Sequence, residues 1–136
     1  MDCIFCKIVK GEMPGYKVAE NEHFLAILDI YPQKAGHVLI IPKVHCKDLL
    51  DIDEISAREF LPFAQKVAGA VAAVTGGCFN LLQNNGADAG QVVFHFHAHI
   101  IPRHKGDGLL LSKHSFTQPT QEEFAEMAAK IRDEIK

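Results

Sequence analysis

Three histidines alternate in the run His95-Phe96-His97-Ala98-His99-Ile100-Ile101. Imidazole titrates near neutral pH and can act as a nucleophile, a proton carrier or a metal ligand. On a β-strand, alternate side chains share a face. His95, His97 and His99 therefore point one way, while Phe94, Phe96, Ala98 and Ile100 point to the core. A solvated strand face ordinarily mixes Lys, Glu, Thr and Ser, so three histidines in strict alternation indicate chemistry. Same-face neighbours on a strand are roughly 6.7 Å apart, which separates His95 from His99 by roughly 13 Å at the backbone. One metal with nitrogen ligands at about 2 Å does not gather all three. One end of the run then suits a metal, and the middle and far end suit a substrate. A more distant alternative is a catalytic zinc hydrolase with His95 and His97 both as ligands. A second grouping is the pair Cys3 and Cys6, with two residues between them, which reads as metal-binding or redox-active in a reducing compartment. Cys46 and Cys78 stand apart from it, and Cys78 reads as a buried core cysteine.

The rest of the composition narrows the function classes. At 136 residues, 48% hydrophobic and 23% charged, the chain fits one globular domain with one core. Its net charge of −3 argues against a nucleic-acid binder, although a few histidines and backbone N–H groups suffice for a small phosphate ligand. No apolar run approaches the roughly 18 residues of a membrane span. The start, Met1 to Lys7, lacks the layout of a secretory signal, so the expected location is cytoplasmic. Four of the eight histidines fall between positions 95 and 104.

The elements that must position these groups follow from periodicity and breakers. Residues 3–10 read as a short helix ended by Gly11 and Pro14. Residues 17–20 and 23–30 read as a hairpin around Asn21 and Glu22, and 37–41 as a strand opened by Gly36 and stopped by Pro42. Phe60, Phe63, Ala64, Val67, Val71 and Val74 recur at helical spacing, with Ser56 and Glu59 as a capping box and Gly76-Gly77 as the stop. Pro62 predicts a kink or a late start there. Residues 79–83 form a strand, 84–90 a loop, 92–102 a second strand and 104–119 an irregular stretch. Thr120 and Glu123 then cap a last helix carrying Phe124, Met127, Ala128, Ile131 and Ile135. The fold class is α+β, an antiparallel sheet of five strands with a main helix on one face.

The histidine run matches the His-x-His-x-His motif with apolar spacers, and the chain is identified as resembling the histidine triad (HIT) superfamily. The resemblance continues through residues 2–11, through 24–30 followed by 36–45, and through 84–91, covering nearly all of 2–103 in order. It implies a HIT-like fold as one domain over 1–136, with a core at 2–103 and a C-terminal loop and helix at 104–136. It also implies a homodimer in which two sheets join as one of ten strands. By resemblance, a purine nucleotide binds with its α-phosphate at the histidines. His97 matches the nucleophile that forms a nucleotidyl-histidine, His99 a phosphate contact, and Asp29 the acid that holds the ribose hydroxyls. Asn84, Gly90, Gln91 and Val92 match positions around the phosphates. Zinc-bearing members carry ligands at positions matching Cys3, Cys6, His45 and His95, which would form a closed structural Cys₂His₂ site.

The substrate class implied is a nucleoside phosphoramidate, an adenylate or a dinucleoside polyphosphate; the alternative is a nucleotide-binding partner protein with vestigial hydrolysis. Val92 departs from relatives that place Ser or Thr there, and a valine relays no proton to a leaving group. Residues 102–108 look more like the branch acting on dinucleoside polyphosphates. Arg103 and Lys105 are either charge for a second phosphate or solvated surface.

Overall fold

A computed structural model describes residues 2–111 and 118–136. In chain order it contains α1 (Ile4–Val9), β1 (Lys17–Glu20), β2 (Phe24–Leu28), β3 (Val38–Pro42), α2 (Glu54–Thr75), β4 (Phe79–Gln83), β5 (Ala98–Pro102) and α3 (Gln121–Glu134). A 3₁₀ turn at Ala87–Ala89 lies between β4 and β5. The five strands form one sheet in the order β1-β2-β3-β5-β4, and every neighbouring pair is antiparallel. The fold is the α+β arrangement that the periodicity predicted.

The central strands are buried on both faces, so alternation sorts their side chains between two apolar layers. Phe24, Ala26, Leu28, Val38, Ile40 and Ile100 face α2 and α3, meeting Phe63, Val67, Val71 and Ile131. Leu25, Ile27, Leu39 and Ile41 face the other way, toward Cys3 and Phe5 of the N-terminal segment. His99 pairs in register with Leu39 and so stands on this second face. Among the described residues no helix is long and apolar enough to cross a membrane.

Several local expectations change. The strand expected over 92–102 begins only at Ala98. In the β3–β5 register Ile40 faces Ala98, so the next partners outward are Ile41 with His97 and Pro42 with Phe96. Pro42 has no N–H to extend that ladder. The chain peels away instead, and the Phe96 N–H donates to the Cys46 carbonyl at 2.7 Å. Phe94, expected in the core, is therefore exposed.

Helix α2 runs unbroken through Pro62, because both Pro62 and Arg58 lie on its solvent side, where water can satisfy the carbonyl that lost its donor. Its N-cap is Asp53, whose carboxylate accepts from the Ser56 N–H at 3.0 Å, rather than Ser56 itself. The box at Thr120 and Glu123 forms as expected. Cys78 is exposed, not buried, because it leads into β4 at the sheet edge.

Candidate functional site

Four side chains from three parts of the chain converge at the first cluster. Cys3 caps α1, and Cys6 lies one turn on, with its N–H against the Cys3 sulfur at 3.4 Å. His45 follows β3, and His95 lies on the irregular segment before β5. Their ligand atoms all lie within 4.8 Å of one another. His95 Nδ1 is 3.3 Å from Cys3 Sγ, 3.5 Å from Cys6 Sγ and 3.1 Å from His45 Nδ1, and Cys6 Sγ is 3.3 Å from His45 Nδ1.

The tautomer of His95 follows from its other nitrogen. Nε2 is 2.8 Å from the Pro42 carbonyl, so it carries the proton and donates. The Nδ1 lone pair then faces the two sulfurs and His45. A metal-bound imidazole ordinarily donates its distal N–H to such a carbonyl. Burial pushes His95 down to about 4, which keeps the ring neutral near pH 7 and its lone pair available. Burial and the neighbouring Cys3 raise the Cys6 thiol, a cost that a bound cation would offset. The two soft sulfurs and two imidazole nitrogens fit a tetrahedral metal.

A second grouping of possible ligands, Asp29, His37 and His99, also falls within 4.8 Å. Here the tautomer gives the opposite answer. The Gln33 N–H donates to His37 Nδ1 at 3.1 Å, which places the proton of a neutral ring on Nε2. That nitrogen faces His99 Nδ1 at 2.9 Å and the Asp29 carboxylate at 3.5 Å. It is a hydrogen-bond donor there and has no lone pair for a metal. By receiving this bond at Nδ1, His99 is left with its own proton on Nε2.

His97 stands between the two groupings. Its Nδ1 lies 2.8 Å from the His95 carbonyl, so Nδ1–H donates and Nε2 holds the lone pair. Burial lowers its pKa, which favours the neutral, nucleophilic ring. The Phe5 ring meets His97 edge-on at 5.1 Å and His95 at 5.9 Å. The His97 and His99 rings are 5.1 Å apart. A lone pair on one imidazole thus adjoins a ring whose outer nitrogen is a donor.

Asp29, just beyond β2, accepts the Tyr31 N–H at 2.9 Å through Oδ1, while its own N–H donates to the His37 carbonyl at 3.0 Å. Around the 84–92 loop the picture is mixed. Gly90 has φ +96, and a Cβ there would lie 3.4 Å from the Asn84 amide nitrogen, so loop and side chain are closely fitted. The Gln91 side chain is buried and turned inward: it accepts from the Gly86 N–H and donates to the carbonyls of Lys47 and Val93. It staples three loop segments together. Val92 is 77% exposed. Arg103 is engaged by partners within the protein. Its guanidinium grips Asp107 through two nitrogens, at 3.0 and 3.2 Å, and donates to Asn80 and the Leu109 carbonyl. Cys46 is buried beside His45, and burial, reinforced by Asp53, pushes its thiol up to about 11.

The residue that sequence reasoning missed is His37. Its one signal was a histidine at the mouth of a wholly apolar strand, directly after Gly36.

Comparison with known proteins gives the family. The HIT domain family model matches residues 10–106. An adenosine 5'-monophosphoramidase of Schizosaccharomyces pombe is 47% identical over 103 residues, covering 76% of this chain and 75% of that protein. An adenylylsulfatase of Arabidopsis thaliana is 45% identical over 113 residues, 82% of this chain and 57% of that longer protein. Among solved structures, a zinc-bound histidine triad family protein from Mycobacterium smegmatis superposes with a TM-score of 0.86 at 36% identity, covering 99% of this chain and 94% of that one. With His97 seated between a Cys/His cluster that includes His95 and a pair formed by His37 and His99, the chain belongs to the HIT domain, or histidine triad, family.

Proposed function

We propose that this protein is a purine nucleotide hydrolase that works at the α-phosphate through a covalent intermediate on His97. The observation that carries the reading is the pair of locked tautomers: a lone pair on His97 Nε2, and beside it a ring proton on His99 Nε2. His97 Nε2 attacks the α-phosphorus, the bond to the leaving group breaks, and a nucleotidyl-histidine forms. Water then attacks the same phosphorus, the P–N bond breaks, and the nucleoside monophosphate leaves. His99 Nε2–H donates to a phosphate oxygen as charge builds there. His37 is a positioning residue that sets the His99 tautomer, and Asp29 takes the ribose hydroxyls. Asn84 and the backbone at Gly90 and Val92 surround the phosphates, with Gln91 holding that loop. The names of the phosphoramidase and adenylylsulfatase relatives support the nucleotide substrate.

Zinc is the metal that the Cys₂His₂ donor set fits best, held by Cys3, Cys6, His45 and His95. It would tie the N-terminal segment to the strand of the nucleophile. Four protein ligands leave no open position, so its role is structural. The apolar residues Phe79 and Leu81, exposed on the edge strand β4, support a homodimer in which two sheets join across that edge. We also assign the protein to the cytoplasm, where thiol ligands stay reduced, and read residues 1–136 as one domain.

A substrate panel tests the activity. Adenosine 5'-phosphoramidate, an acyl adenylate and dinucleoside tri- and tetraphosphates are incubated with the protein, and nucleoside monophosphate release is followed. Release from at least one of them is expected. Failure to release it from all would contradict the reading and favour a binding protein.

A further inference from the structure

The His95 peptide belongs to both halves of the site. Its ring belongs to the Cys/His cluster that could hold a metal, and its carbonyl receives the Nδ1–H of His97 at 2.8 Å. Phe5, between the two cysteines in sequence, lies edge-on against both imidazoles and is buried. Anything that opens the cluster therefore frees the two supports that orient His97. The thiols of Cys3 and Cys6 are one helical turn apart with sulfurs within 4.8 Å, the spacing of dithiol pairs that close to a disulfide. Cys6 is partly exposed, so a small oxidant reaches it. Cys46 is buried and Cys78 stands alone at the sheet edge. The chemistry thus concentrates on one pair.

We propose that Cys3 and Cys6 form an oxidation site, at which hydrogen peroxide converts the metal-binding thiolates to a disulfide, releases the metal and disengages His97. This inference rests on the metal site and on the nucleophile proposed above. One thiolate attacks a peroxide oxygen, the O–O bond breaks, and a sulfenic acid and hydroxide form. The second thiolate attacks that sulfur, the S–O bond breaks, the S–S bond forms and a second hydroxide leaves. Two electrons pass from the sulfurs to the peroxide, and the divalent metal departs with two ligands lost. His45 and His95 alone hold it too weakly to compete with solvent.

The test begins with protein that contains one equivalent of zinc and turns over a substrate from the panel, so failure of the earlier reading shows before any oxidant is added. Hydrogen peroxide is then titrated in. Zinc release is read with a chromogenic chelator, the 1–7 peptide is read by mass for loss of two hydrogens, and the His97 tautomer is read by long-range ¹H–¹⁵N NMR. Zinc release and disulfide formation should rise together, and the single Nδ1–H signature of His97 should be lost. Turnover should fall on the order of tenfold to a hundredfold, the usual effect of disturbing a supporting shell. Dithiothreitol with zinc should restore all of these. Cys78→Ser should respond as wild type does. Cys6→Asp, which keeps a ligand but cannot form the disulfide, should hold zinc and resist peroxide. Zinc retained with both thiols still alkylatable would overturn the proposal. So would a disulfide with zinc released and the His97 signature and turnover unchanged, or a Cys6→Asp protein that loses zinc to peroxide as readily as wild type.

Discussion

At the scale of single residues, the chemistry depends on which nitrogen of each imidazole carries the proton. Backbone groups decide this: the Pro42 carbonyl at His95, the His95 carbonyl at His97 and the Gln33 N–H at His37. His37 then passes the choice on to His99. Replacing His37 with Asn removes that ring-to-ring bond. The expected outcome is a kcat lower on the order of 10²-fold with KM moved by less than about threefold, since the donor matters most as charge develops. The same NMR experiment should then show His99 sampling both tautomers. An unchanged kcat would remove His37 from the account. The alternation of His95, His97 and His99 was plain in the sequence, but these tautomers were not. They are set by partners such as Gln33, and by a contact between His37 and His99 across 62 positions.

At the scale of elements, local rules read well and long-range ones did not. Phe79–Gln83 and the Thr120 cap of α3 were legible because turn residues and capping side chains act within a few positions. The true start of β5 depends on Pro42, a residue on the neighbouring strand that cannot donate, and no pattern within 92–102 contains that fact. Asp107 also belongs here, because it closes the turn after β5 and holds Arg103, whose guanidinium reaches Asn80 on β4. The Arg103 guanidinium, aided by the His104 and Leu109 N–H groups, holds its carboxyl well below the usual carboxylate range. A depressed carboxylate contributes stability that is complete above its unfolded pKa of about 3.9 and is lost as pH falls through the folded value. Asp107→Asn should therefore be less stable than wild type by a constant amount from about pH 5 to pH 8. Below about pH 4 the two melting curves should converge. A gap that persists undiminished into strong acid would contradict this role.

At the scale of the whole molecule, the sheet separates two tasks. One apolar layer, under α2 and α3, holds the fold; the opposite layer, with α1, adjoins the imidazoles. The family and fold class were readable from residues 2–103 because motif order survives in one dimension. The joining of Cys3, Cys6, His45 and His95 could be expected only from the resemblance, since spacing alone does not say which distant histidines meet. The central claim is that His97 forms a covalent bond to the nucleotide. It is tested most directly by mixing enzyme with excess substrate, quenching rapidly into base, where a phosphohistidine-type bond survives, and measuring the mass of the peptide that contains His97. One added nucleotidyl group is expected on that peptide, and in His97→Ala neither the adduct nor turnover, with nucleotide binding largely retained. Undiminished turnover in His97→Ala would contradict it.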